Sequence, residues 1–301
     1  MVNPLHDRYF PGGRVVNPLA NLAQEPVVKL HEAVSARTLG IGNYEGRHIS
    51  VNSSTMAHLG LAQETLRKVK MMLPYGAGNQ TAEVVYTGGE SWARTKMARN
   101  VPLNNLISDA LHFARCQAGN CSEMADLTYA LLAQTRINAP VMRVNDTHWD
   151  HAYVLIGDPR DQSWGESNTV VVDPWVRYPS ASTLAQAVNR TPKFSSYLSR
   201  SCNEAPVPEA QALNNIRHIT TDEVERYLPS INSPAIGDEL LEDLYIFRAL
   251  DNMRDEKIVA RDPSTLYSSP DHPASAMDDI AQATVDRQRA VQWAWSDSYY
   301  F

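Results

Sequence analysis

This chain has few cysteines, few phenylalanines and no concentrated positive charge. Three cysteines, Cys116, Cys121 and Cys202, stand in 301 residues. An odd, low count is no disulfide framework, and it fits a reducing compartment in which a reactive thiol survives. Lys and Arg total 27 against 34 Asp and Glu, a formal net charge of -7. Without a Lys/Arg cluster, nucleic acid and anionic membrane surfaces are disfavoured as partners. No apolar run approaches the roughly 18 residues that span a bilayer, so no transmembrane segment is expected. No Gly-Lys-Ser/Thr follows Gly76 and Gly78, which excludes a phosphate loop there. There is no internal repeat, low-complexity tract or sustained heptad. Asp7 and Arg8 precede Pro11-Gly12-Gly13 where an apolar stretch would have to lie, so a cleaved secretory signal is not expected.

What is there is an ordinary globular composition, 43% hydrophobic and 20% charged. The chain is long enough to bury a real core as one large domain or two small ones. Residues 1–45 hold several Pro and Gly and little periodicity, which reads as a partly ordered arm with a short helix over 27–36. A better helix is expected over 57–72, where Leu59, Leu61, Leu66, Val69 and Met72 are available to a core. The run 83–87 reads as a strand, 102–115 as a helix, and 141–145 as the strand that opens a small antiparallel meander. Beyond 175 the pattern turns helical and polar. Helices are expected over 182–188, 221–228, 236–250 and 274–295, with a loop at 262–273 and an aromatic tail, Tyr299-Tyr300-Phe301.

Three segments between 117 and 175 carry the candidate chemistry. In the first, 117–125, Gly119-Asn120 signals a loop, and Met124, Leu127, Leu131 and Leu132 follow at helical spacing. Asn120 suits the N-cap, with Glu123 three residues on as its capping-box partner. Cys121 then falls on the first turn, where unpaired backbone N–H groups and the helix dipole favour a thiolate and offer part of an oxyanion hole. In the second, His151 opens the apolar run 151–156, closed by Gly157-Asp158-Pro159. In the third, the β-branched run 169–172 ends at Asp173-Pro174. Folded symmetrically as an antiparallel pair, the two runs set His151 across from Asp173, close enough for the carboxylate to orient the imidazole. A thiol, an imidazole and a carboxylate in that order read as a Cys121–His151–Asp173 acyl-transfer site.

Each segment also has a structural reading. Cys121 fits a small buried apolar residue, and the hairpin fits one with an ordinary polar pair at its open end. Trp149 and Trp175 flank the His and Asp; they read either as walls of a substrate cleft or as core aromatics. Asp126, Asp146, Asp150 and Asp158 read as solvated. Zinc is the chemical rival, since Cys116, Cys121, His148 and His151 form a C-x4-C…H-x2-H pattern. Its second spacing is tighter and its interval longer than closed zinc sites prefer. Cys116 and Cys121 are also close enough in sequence to raise the question of a bridge that masks the thiol.

Gly-Asn-Cys-Ser-Glu-Met-Ala, followed by Asp-His-Ala-Tyr-Val and Val-Val-Asp-Pro-Trp, resembles the transglutaminase-like branch of the papain-like superfamily. Within it, the segments resemble bacterial effector and toxin enzymes that deamidate glutamine, and related thiol-protease effectors. The likeness covers about a fifth of the chain. It implies an α+β fold, with a small antiparallel sheet packed on the nucleophile helix and further helices around it. Residues 1–45 would be an arm and 46–301 a catalytic domain, with a thiol-hydrolase core near 100–180 and a helical part at 181–301. It implies nucleophile Cys121, base His151 and orienting Asp173, with no metal or cofactor. Papain-like enzymes place an oxyanion glutamine shortly before the nucleophile; Gln117 stands near that position at a different separation, beside Asn120. A host protein is then the substrate, reached by secretion without a cleaved signal, with a secretion chaperone or an activating host factor as further partners. A thiol protease and a non-catalytic binding module on the same scaffold are the alternatives.

Overall fold

The computed structural model describes residues 27–102, 105–148, 150–188, 193–246, 259–275 and 279–281. Its chain is mixed α+β, as expected. In order, the elements are β1 (Val27–Lys29), α1 (Leu30–Ala33), β2 (His48–Ser50), α2 (Ser53–Met72), α3 (Thr81–Tyr86), α4 (Glu90–Arg99), α5 (Leu106–Cys116) and α6 (Cys121–Leu132). Then come β3 (Val141–Asp146), β4 (His151–Ile156), α7 (Gly165–Asn168), β5 (Val170–Val172), β6 (Ser182–Thr183) and β7 (Phe194–Arg200). The described part closes with α8 (Thr221–Tyr227), α9 (Asp238–Ile246), β8 (Leu266–Ser269), β9 (His272–Ser275) and β10 (Asp279–Ala281). No described helix is long and apolar enough to cross a membrane.

The main sheet has the order β6-β5-β4-β3-β7, antiparallel throughout. Alternation along its strands makes two apolar faces. Ala152, Val154, Ile156, Val170 and Val172 pack on Leu59, Ala62 and Leu66 of α2 and on Ala125, Tyr129 and Leu132 of α6. On the opposite face, Val144, Tyr153, Leu155 and Val171 gather with Leu184. β4 is buried at every position, so it reads as a continuous apolar run and not as an alternating one.

α6 departs from the single stripe expected of it. Met124, Leu127, Ala130 and Leu131 face a second cluster, with Val69 and Leu73 of α2, Ala110 and Ala114 of α5, and Trp175. A helix apolar on both sides must be sandwiched, and only Cys121, Ser122 and Asp126 are left partly exposed. A third cluster joins α3, α4 and α5 to α8 and α9 through Val84, Trp92, Phe113, Cys116, Val224 and Leu240.

Several expected elements change state. Residues 83–87 form the end of a helix: Val84 and Val85 are buried, and Thr87 Oγ1 donates back to the Glu83 carbonyl at 2.8 Å. Burial on the α4–α9 side thus outweighs their β propensity. Within 182–188, Ser182 and Thr183 pair with β5 and only a 3-10 turn, Leu184–Gln186, is helical. The loop expected at 262–273 contains β8, which runs parallel to β2 with Tyr267 fully buried. Short helix α1 occupies part of 27–36 after β1. Of the expected helix 274–295, Ser275 ends β9 and 279–281 pair with β1; its other residues from 276 on, and the tail 299–301, lie outside the described residues, as do 1–26.

One buried ion group ties this frame to the candidate site. Arg94 on α4 is 1% exposed. It pairs with Glu90 at 2.7 Å and donates to the Cys116 carbonyl at 3.2 Å and the Ile219 carbonyl at 2.9 Å. Its guanidinium also lies 3.8 Å from the centre of the Tyr75 ring. Removing it leaves Glu90 charged and two carbonyls unpaired, so Arg94→Met should cost about 3–5 kcal/mol. A urea unfolding midpoint unchanged in that variant would contradict this account.

Candidate active site

The nucleophile segment begins where α5 stops. Gln117 caps α5 in the left-handed conformation, φ 63, a strained state for a residue with a side chain. Its carbonyl accepts from Tyr75 N at 3.3 Å, and Gly119 N donates to the Gly76 carbonyl at 3.2 Å. Two backbone bonds therefore clip the 117–120 loop to the turn after α2. Gly119 is required by proximity: a Cβ there would stand 2.6 Å from Glu123 Cβ.

The capping box is present, with unequal halves. Asn120 N donates to Glu123 Oε2 at 2.8 Å, while Asn120 Oδ1 is buried without a well-formed hydrogen bond. Glu123 is in turn held by Arg99 from α4, through Nε at 2.7 Å and Nη2 at 2.9 Å. Cys121 is the first residue of α6 and is half-buried. At that position the N–H groups of Cys121 and Ser122 have no intrahelical acceptor, which makes them natural oxyanion donors.

The imidazole arrives from the sheet. Asp146 Oδ1 accepts from His148 N at 2.8 Å, and Asp150 takes a left-handed φ of 48, so the β3–β4 turn delivers His151 at the strand start. His151 and Asp173 are both buried, and His151 Nε2 bonds Asp173 Oδ2 at 2.8 Å. The other carboxylate oxygen accepts from Trp175 N at 3.1 Å, which fixes the carboxylate plane. The ring stacks on Tyr153, centroids 5.7 Å apart, and meets Trp175 at 5.1 Å.

The pairing is not the directly opposed one the sequence implied. β4 and β5 match Val154 with Val172 and Ile156 with Val170. Continuing that register puts Tyr153 opposite Asp173. His151 reaches Asp173 diagonally, from the same face two residues earlier.

Burial alone would lower the proton affinity of His151. The charge and hydrogen bond of Asp173, and then the hydrogen bonding and charge of Cys121, outweigh it and push the imidazole up to about 10. Nδ1 is buried and makes no closed hydrogen bond. Cys121 thus acts on the imidazole, and Nδ1 is the ring nitrogen that Asp173 leaves unused.

The remaining sequence candidates sort cleanly. Trp175 is 1% exposed. Its Nε1 donates to Asn79 Oδ1 at 3.0 Å and its carbonyl accepts from Gln80 Nε2 at 2.7 Å, so it braces His151 from the core and offers no wall to a substrate. Trp149 lies outside the described residues. The Gln117 carboxamide makes no hydrogen bond among the described residues and is free to take up an oxyanion role. Cys116 is buried, and burial pushes its thiol up to about 12 against the pull of Arg94 and Arg115. It is a free core cysteine, and Cys121 is free as well. The zinc pattern does not converge, because Cys116 is in the core and His148 exposed; no described group of three or more His, Cys, Asp or Glu could hold a metal ion. Asp126 and Asp146 are not solvated as expected: Asp126 is held by Arg143 at 2.9 Å and Asp146 is buried.

Sequence reasoning missed Arg99, Tyr153, Asn79 and Gln80. Tyr153 was recoverable, since position i+2 from His151 shares its face; nothing local pointed to the others. A shallow crevice with a cavity volume of only about 10 Å³ touches His151, Tyr153, Asp173, Leu184 and Ala187. Cys121 is not among its lining residues.

Two outcomes follow from this geometry. His151 is raised above its ordinary 6.5. Its protonated form therefore contributes stability that is fully present below pH 6.5 and is lost as pH rises towards about 10. Urea midpoints should fall across that window in the native chain and fall less in Asp173→Asn. At Gln117 glycine fits the backbone without strain, so Gln117→Gly should stay folded by circular dichroism and lose about 100-fold in turnover if the carboxamide holds the oxyanion. Comparison with protein-family models, curated proteins and solved structures gives no match to this chain, so any functional reading stands on the arrangement of Cys121, His151 and Asp173.

Proposed function

We propose that this chain is a cysteine-dependent acyl-transfer enzyme with Cys121 as nucleophile, His151 as base and acid, and Asp173 as the group that orients it. The observation that carries the reading is the buried His151–Asp173 bond, with the second ring nitrogen unused and Cys121 beside the imidazole at the start of a helix. A raised, protonated imidazole next to a sulfur supports a thiolate–imidazolium pair.

The thiolate attacks a carboxamide carbon, and the Cys121 and Ser122 N–H groups take the developing oxyanion. Imidazolium protonates the departing nitrogen as the C–N bond breaks, which leaves a thioester and neutral imidazole. His151 then removes a proton from the incoming acceptor, the thioester opens, and the thiol is regenerated. With a glutamine side chain and water as acceptor, the products are glutamate and ammonia; with an amine, an isopeptide. The resemblance of the three segments to glutamine-deamidating effectors supports glutamine in a host protein as the substrate.

Intact mass of a candidate substrate tests this directly. Deamidation adds about one dalton as NH2 is replaced by OH, and Cys121→Ala should abolish the change. Fragments in place of that gain would assign a thiol protease using the same groups. A cellular effect that persists undiminished in Cys121→Ala would rule out catalysis and leave a binding module.

A further inference from the structure

The nucleophile loop carries an electrostatic conflict. Glu123 is structurally necessary, since its carboxylate holds Asn120 N and its stem packs against Gly119. It also places a buried negative charge two residues from the sulfur, which opposes a thiolate. We infer that Arg99 is a positioning residue for the proposed reaction: by its two-pronged bond to Glu123 it cancels that charge and holds the loop, so that Cys121 can become an anion. The inference rests on the reading of Cys121 as nucleophile.

The geometry is specific. Arg99 is the last residue of α4, and its Nε and Nη2 lie in a fork on the two Glu123 oxygens. One of those oxygens, Oε2, simultaneously accepts Asn120 N. Arg99 remains 47% exposed, and its third nitrogen, Nη1, makes no hydrogen bond among the described residues. The cation is thus anchored on the carboxylate that caps the nucleophile helix and is still open towards solvent. Its own proton is held more tightly: burial works against this, but Glu123 and then Cys121 outweigh it.

The other charges near the sulfur are accounted for. Asp126, further along α6, is paired with Arg143 from β3, whose Nη2 also binds Ser122 Oγ at 2.7 Å. Asp109 on α5 also acts on Asp126. His151 from β4 is itself paired with Asp173. Glu123 is the carboxylate closest in sequence to Cys121 on its own helix, and Arg99 is the arginine that neutralises it.

The test is the pH profile of iodoacetamide labelling, read by peptide mass at each cysteine of the full chain. Cys116 is buried and stays silent, while exposed Cys202 is the internal reference. Arg99→Ala and Arg99→Gln should each slow Cys121 labelling at pH 7 about tenfold and move its profile up by about one pH unit. Arg99→Lys should restore most of the rate. Adding Glu123→Gln to Arg99→Ala should return the profile towards that of the native chain, because glutamine at the third helical position still completes the cap without the charge. A profile unmoved in Arg99→Ala, with native Cys121 fast, overturns the role of Arg99 and leaves the nucleophile in place. A shift that Glu123→Gln does not reverse also overturns it, as the loss would then be structural. Native Cys121 labelling no faster than Cys202 would remove the nucleophile and this inference together.

Discussion

Everything at the candidate site follows from the burial of α6 on two sides. Its residues 123–132 are all buried except Asp126, with Ala125, Tyr129 and Leu132 against the sheet and Met124, Leu127 and Ala130 against α2 and α5. Each fully buried Leu or Met contributes about 1.5–3 kcal/mol relative to exposure. A helix fixed by that many contacts cannot rotate or slide to satisfy its ends. Its N-terminal N–H groups are therefore presented at a fixed place, and Cys121 is held beside them.

The electrostatics then divide into two paired layers. Behind the sulfur, Glu123 caps the helix and Arg99 balances it; in front, Asp173 balances a protonated His151. Both layers are buried or partly so, where an unpaired charge is costly and a paired one is affordable only with its remaining hydrogen bonds made. Asp173 meets that condition through Trp175 N and Glu123 through Asn120 N. Nδ1 of His151 does not meet it: it is buried without a hydrogen bond, and it is the nitrogen that the proposed reaction would use.

What could be read in the sequence was whatever is local. The Asn120–Glu123 cap, the helix behind it, the strands at 141–146 and 151–156 and the order of thiol, imidazole and carboxylate all announce themselves within a few residues. The exact partner of Asp173 did not, because β4 and β5 are joined by a loop containing α7, and the register is set by Val154, Leu155 and Ile156 meeting Val172, Val171 and Val170. β7, which pairs along all of β3, and β8, which runs parallel to β2, depend on contacts that no short window contains. Val84 and Val85 were misread for the same reason: their neighbours in α4, α8 and α9 decide their state. Arg99 is the clearest case, an arginine at a helix end that gains meaning only from Glu123, on another helix.

The turn after α2 shows why these distant pieces act as one site. Tyr75 and Gly76 hold the backbone of the Cys121 loop, while Asn79 and Gln80 hold Trp175, two residues from Asp173. One six-residue stretch thus sets the distance between the thiol half and the imidazole–carboxylate half. Arg94 lies over the Tyr75 ring and binds the Cys116 carbonyl, so the outer helices are fastened to the same stretch. Misplacing either half by about an ångström costs orders of magnitude in the reaction proposed here. A strained Gln117 and a glycine too crowded for a methyl group lie within a few residues of the thiol, and Arg94 reaches the same loop through the Cys116 carbonyl. Each piece also has a structural return: Arg94 satisfies Glu90 and two carbonyls, Gln117 caps α5, and Gly119 makes room for the Glu123 cap, so the same contacts that hold the frame fix the loop that carries the thiol.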